Sequence, residues 1–162
     1  MSLFDETTEV FPSNAIQLIC DRAAMLYPDL FIIQRMLRQA DPTQSLGVYP
    51  LNWLPDEGSY ETGNFEEPTI QRYVIGVQTF VMHADPVKGI QIHSVLSKVM
   101  RSLLYNDVPL SVGLNQLQIT MFGKTEKIQR RGIARTKYLS NEVRGQFLYL
   151  STTEYWLETQ TQ

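Results

Sequence analysis

The sequence predicts an α+β fold: a mainly antiparallel sheet with two principal helices packed on one face, a long inserted loop and a long basic hairpin. Three observations predict it. Two segments repeat apolar residues at three-to-four spacing, as a helix with one buried face does. Several others alternate apolar and polar residues, as half-buried strands do. The order is helix, strand, loop, strand, helix and then paired strands, a grouping that favours an antiparallel sheet over repeated parallel crossovers. At 162 residues, 43% hydrophobic, the chain is long enough for one domain with a sizeable core. The expected layout is an acidic extension over 1–11 and a single domain over 12–162.

The extension, MSLFDETTEVF, has little to bury and does not read as a signal peptide, which would be basic and then apolar. SNAIQLICDRAAMLYP then reads as a helix that Ser13 or Asn14 can cap, with Ala15, Ile16, Ile19, Ala23 and Leu26 on one face. Pro28 ends it, because proline disfavours a helical residue before it. LFIIQRML reads as a short strand. Residues 40–67 are rich in proline and glycine yet contain Tyr49, Trp53, Tyr60 and Phe65. Aromatics argue against plain disorder, so the span reads as an insertion that docks on the domain or on a neighbouring subunit.

TIQRYVIGVQTFVMHA alternates as a long strand, with Gly76 marking a bulge or a close backbone approach. Asp85-Pro86 is a helix start, a cap followed by proline in the first turn. Ile92, Val95, Leu96, Val99, Met100, Leu103 and Leu104 form the expected buried face of that helix, and Asn106, Asp107 and Pro109 stop it. LNQLQITMFG reads as a strand with one wet face. GQFLYLSTTEYWLETQ, rich in aromatics and threonine, is the last strand.

Charge is uneven along the chain. Residues 1–67 carry eleven acids and three bases, whereas KTEKIQRRGIARTKYLSNEVR, over 124–144, holds seven of the fourteen bases with two acids. The bases are Lys124, Lys127, Arg130, Arg131, Arg135, Lys137 and Arg144. The expected form is a hairpin arm with Gly132 near its tip. Three roles stay open for it: a solvated arm, an arm docked on an acidic protein surface, or backbone contact with DNA. Only Tyr138 lies among the charges, so base stacking and sequence-specific readout are not expected.

No catalytic motif is present: GxSxG, GxxxxGK[ST], HExxH and CxxC are all missing. His83 and His93 read as structural histidines and Cys20 as a small core residue. The acids in DEGSY and FEEP read as a solvated loop rather than a cation site. With two histidines and one cysteine, no metal site, no cofactor and no enzyme activity are expected. A lone cysteine suits a reducing compartment, and no apolar run reaches the ~20 residues that span a membrane.

Together, the FP lead into a helix, the Pro/Trp insertion, a strand ending in HADP, LLYNDVPL, the QITMFG strand, the basic connection and the GQFLYLSTTEYWLET strand resemble one family. It is the tail terminator proteins of long-tailed bacteriophages, especially those infecting actinobacteria. The resemblance spans roughly residues 11–160, in element order rather than a diagnostic motif. The insertion and the acidic leader depart from the shortest members. It implies a virion protein of the head–tail junction, made in the host cytoplasm, that forms a hexameric ring. Such a ring caps the tail tube, stops its polymerisation and joins it to the head-side connector or stopper. Viral DNA passes through the lumen without sequence-specific contact, and no membrane is involved. In that setting the seven bases would meet a subunit, a partner or the DNA channel, and Trp53, Tyr60 and Phe65 would supply adhesion. Three alternatives remain: a head-side connector or stopper of the neck, a nucleic-acid-binding accessory protein using the basic arm, and, weakest, an enzyme whose site forms only between subunits.

Overall fold

The computed structural model describes residues 12–55, 70–121 and 124–161. In chain order the elements are α1 (Ser13–Leu26), β1 (Phe31–Ile33), β2 (Ser45–Pro55), β3 (Ile70–His83), α2 (Pro86–Asn106), α3 (Val108–Gln116), β4 (Gln118–Met121), β5 (Lys124–Val143) and β6 (Gln146–Thr161). The strands form one sheet in the order β1-β2-β3-β6-β5-β4. Every pairing is antiparallel except that of β1 with β2. The fold is therefore α+β with a mostly antiparallel sheet, as expected.

The helices share one face of the sheet. Ile16, Ile19 and Ala23 of α1 join Met100 and Leu104 of α2 and Leu110 and Leu114 of α3. They form one apolar cluster with Leu46, Val48, Ile75, Val77, Tyr155 and Leu157 of the sheet. Those strand residues are spaced by two, so the residues between them point to the opposite face. The segment 34–44 crosses that opposite face. Leu37 donates its backbone N–H to Gln78 Oε1 at 2.8 Å, and a Cβ on Gly47 would lie 2.6 Å from the Arg35 carbonyl oxygen. Arg35 closes the crossing with a two-pronged bond to Asp41, at 2.7 and 2.9 Å.

Several expectations need correction. Residues 40–67 are not one loop: β2 occupies Ser45–Pro55, with Leu46 and Val48 in the core. Its glycine and prolines are strand features here. Gly47 admits the crossing segment, and Pro50 and Pro55 lie beyond the three residues that β1 covers, where a missing N–H costs no bond to β1. Residues 56–67 of the predicted insertion, including Tyr60 and Phe65, lie outside the described residues, as does the 1–11 extension.

Two helix boundaries also differ. Pro12, not Ser13 or Asn14, stands at the N-cap of α1, but Asn14 still serves that end: its Oδ1 accepts the Ala15 N–H at 2.9 Å. Asp107 and Pro109 do stop α2, but they also start α3: Asp107 Oδ2 accepts from the Leu110 N–H at 2.9 Å. This repeats Asp85-Pro86, whose carboxylate accepts from the Val87 N–H at 3.0 Å. LFIIQRML yields only three strand residues, because Arg35 is drawn to Asp41 and the chain turns across the sheet.

Candidate functional site

The basic stretch forms β5, a single 20-residue strand paired with β6 along most of its length. The expected turn at Gly132 is absent. Gly132 pairs with Trp156 at a bulge, where the register shifts between Arg130 and Gly132, and a second shift follows between Ile133 and Arg135. Each shift leaves an extra residue, Arg131 or Ala134, and increases the local twist. The true turn is Arg144-Gly145, with φ of +50° and +79°, closing β5 onto β6 between Val143 and Gln146. Two consecutive positive φ values suit the tight turn that matches strand twist. The arm is therefore the hairpin of β5 with the last strand.

This register gathers Lys124, Lys127, Arg130, Arg131, Arg135 and Lys137 on one strand, with Arg144 in the turn. It also reveals what the sequence reading missed. Arg135 is registered opposite Glu154, and Gln129 opposite Glu158. The two acids of the last strand thus sit across from the basic strand, two rows apart. Their four-residue spacing in an alternating strand, which puts both on one face, was the available signal. Lys127 is registered opposite Gln160 and Lys137 opposite Thr152, whereas Arg130 shares the row of Leu157. Trp53 belongs to the same row, opposite Tyr73 on β2, so two strands separate it from Arg130.

Toward the turn the hairpin is well exposed. Tyr138 is 63% and Leu139 57% accessible, and Lys137 and Ser140 to Glu142 are exposed as well. Tyr138 meets the helical layer through the edge of His93, with ring centroids 6.3 Å apart at 86°. His93 is 7% accessible. It stacks on Tyr149 at 6.0 Å, and its Nε2 lies 3.4 Å from Thr79 Oγ1. Thr79 also bonds Ser151, and Ser97 lies 3.5 Å from the same hydroxyl. Burial pushes the His93 imidazole below its ordinary pKa. His83 has a local job: its Nδ1 accepts the Asp85 N–H at 2.9 Å, at the entry to α2. Cys20 is buried in the core, and desolvation with nearby Asp21 pushes its thiol up to about 12, which makes it a poor nucleophile.

A second feature lies apart from the basic strand. An open groove of about 620 Å³ runs between the end of α1 and the side of α2, lined by Leu26, Tyr27, Leu30, Ile92, Val95 and Val99. Leu26 and Val95, expected in the core, are exposed on it. Among the described residues no group of three or more His, Cys, Asp or Glu is gathered that could hold a metal ion. No described helix is long and apolar enough to cross a membrane.

No protein-family model and no curated protein sequence matches the chain. Among solved structures, one similar chain, designated without a functional description, covers 95% of this chain and 94% of its own length. Its identity is 13% and its TM-score 0.45. A likeness that distant carries nothing about function.

Proposed function

We propose that the chain is a structural protein of a long-tailed bacteriophage virion: a tail terminator whose copies close into a ring, six-membered in the family it resembles. The ring caps the tail tube, stops its growth and meets the head-side connector, and viral DNA passes through its centre. The observation that supports this most is the one-sidedness of the molecule. All described helices lie on one face of the sheet, while the bases collect on one strand toward the other end of the sheet from the first two strands. A head-to-tail ring needs two different complementary surfaces on each copy. The acidic front and the basic β5 of one chain provide such a pair by charge.

The role of the bases is tested with Arg130→Ala, Arg131→Ala and Arg135→Ala combined, once circular dichroism has shown that the variant folds. We expect the variant to lose self-association by light scattering, and retention of a short duplex at two salt concentrations to change little. Unchanged assembly with lost, salt-sensitive DNA retention would instead favour the nucleic-acid accessory reading.

A further inference from the structure

β5 has a single aromatic residue, Tyr138, and nothing said so far gives it a task. It stands in the stretch 136–143, which pairs with β6 without a register shift, and its ring meets His93 of α2. Most of its surface is nevertheless exposed, as is that of Ile90 on α2. Nine residues, two and a half turns, separate Ile90 from Val99, so the two lie on opposite flanks of α2. Val99 lines the groove toward α1, which leaves Ile90 on the flank toward β5, with Tyr138.

The groove is the counterpart on the other flank. Its walls include Leu26, Leu30, Val95 and Val99, with Asp29 and Gln44 among them. Groove and tyrosine lie at one level of the sheet. Tyr138 is registered with Ser151, Ser151 with Thr79, Thr79 with Leu46, and Leu46 with Ile32. Leu30 and Gln44 come two residues before Ile32 and Leu46, so the groove opens beside the far end of that rung. Four strand spacings, ~19 Å, separate the two ends. α2 stands between them, so Tyr138 cannot fill the groove of its own chain. Copies set side by side, without a shift along the strands, bring it to the groove of the next.

Charge fits the same placement. Lys137 adjoins Tyr138, and Asp29 lies in the groove. Glu142 is registered with Phe147, and Phe147 with His83, which bonds Asp85 at the start of α2. Lys88 stands in the first turn of that helix, seven residues before Val95 and on nearly the same stripe. Both Glu142 and Lys88 are exposed. We infer that Tyr138 of one copy packs into the groove between α1 and α2 of the next copy, with Lys137 reaching Asp29 and Glu142 reaching Lys88. Tyrosine suits such an anchor, because its ring fills an apolar pocket while its hydroxyl finds a polar partner. The contact is head-to-tail, since tyrosine and groove are different surfaces of one chain. It rests on the self-association proposed above, but not on the number of copies or on a tail.

The experiment mixes two full-length variants, each lacking one half of the contact. Tyr138→Glu removes the ring and sets a carboxylate against Asp29, and Val95→Glu places a charge on the groove wall. Both positions are exposed, so wild-type circular dichroism is expected. Each variant alone is expected to self-associate about tenfold more weakly or worse. Native mass spectrometry of an equimolar mixture is expected to show one-to-one mixed dimers and nothing larger, because one intact tyrosine then meets one intact groove. Either variant associating like wild type, or a mixture that stays monomeric, would overturn the inference. Should a variant not fold, a Lys137→Cys chain is oxidised with an Asp29→Cys chain; the buried Cys20 does not compete. A mixed disulfide in preference to either like pair supports the contact, and its absence ends it. Alkylation of the Asp29→Cys thiol should slow as concentration rises. Slow alkylation at every concentration would place another segment of the same chain in the groove and would also overturn the inference. Rings that form in both Glu variants would keep the tail-terminator reading and remove this contact. Mixed dimers from a chain whose wild type never closes into a ring would do the opposite.

Discussion

Arg144 holds a backbone conformation that glycine or asparagine takes more readily. Its φ of +50°, followed by Gly145 at +79°, makes the pair a tight turn normally written Asn-Gly. Arg144→Asn is therefore expected to stabilise the fold by ~0.5–1 kcal/mol, whereas Gly145→Ala should cost ~1 kcal/mol. Urea unfolding of both variants checks this. His93 gives the second prediction at this scale. Its folded pKa is lowered by burial, so the unfolded chain takes up the proton first as pH falls. Its contribution is complete above the ordinary value of ~6.5, declines below it, and levels off once the folded imidazole also protonates. Melting temperature measured from pH 7.5 to 5 should fall less steeply in His93→Gln than in the wild type. The sequence reads His93 as a structural histidine, and the structure buries it against Tyr149 and Thr79. Its hydroxyl neighbours were not legible, because Thr79, Ser97 and Ser151 come from three separate elements.

Elements were legible wherever one residue pattern decided the matter. β3 and α2 follow their alternation and their Asp-Pro start. β2 was hidden because Gly47, Pro50 and Pro55 look like loop residues until the strand's neighbours are known. Gly47 answers to the Arg35 carbonyl across space, and the two prolines lie where, among the described residues, no strand pairs with β2 beyond β1. α3 was hidden for another reason: Asp107 and Pro109 end one helix while beginning the next. Asp107 holds that junction together. Its carboxylate caps α3 and also takes Arg22 Nε at 2.8 Å and Nη2 at 3.0 Å, tying α1 to the corner between α2 and α3. Asp107→Ala removes the cap and leaves a part-buried guanidinium without this carboxylate. The expected loss is ~2 kcal/mol, read as a lower denaturation midpoint with an unchanged slope. Asp107→Asn keeps an acceptor for the cap and should recover about half of it.

For the whole molecule, the consequential correction concerns the hairpin. A free basic arm would have pointed to a flexible contact with DNA or protein. A 20-residue strand paired along β6 instead holds six bases in a defined register, with Arg135 opposite Glu154. With no described strand against 128–143 on its other side, such a strand suits the assembly role we propose better than a free arm would. The sequence showed the imbalance between an acidic front and a basic late segment. It could not show that the basic segment lies next to the short edge strand β4 and extends beyond it, since strand order depends on pairings far apart in the chain. The most direct test of the assembly account is native mass spectrometry of the purified chain, alone and with the tail-tube protein of its phage. The account predicts a closed six-copy ring, alone or on the tube. A chain that remains monomeric at high concentration and in the presence of tube would contradict it.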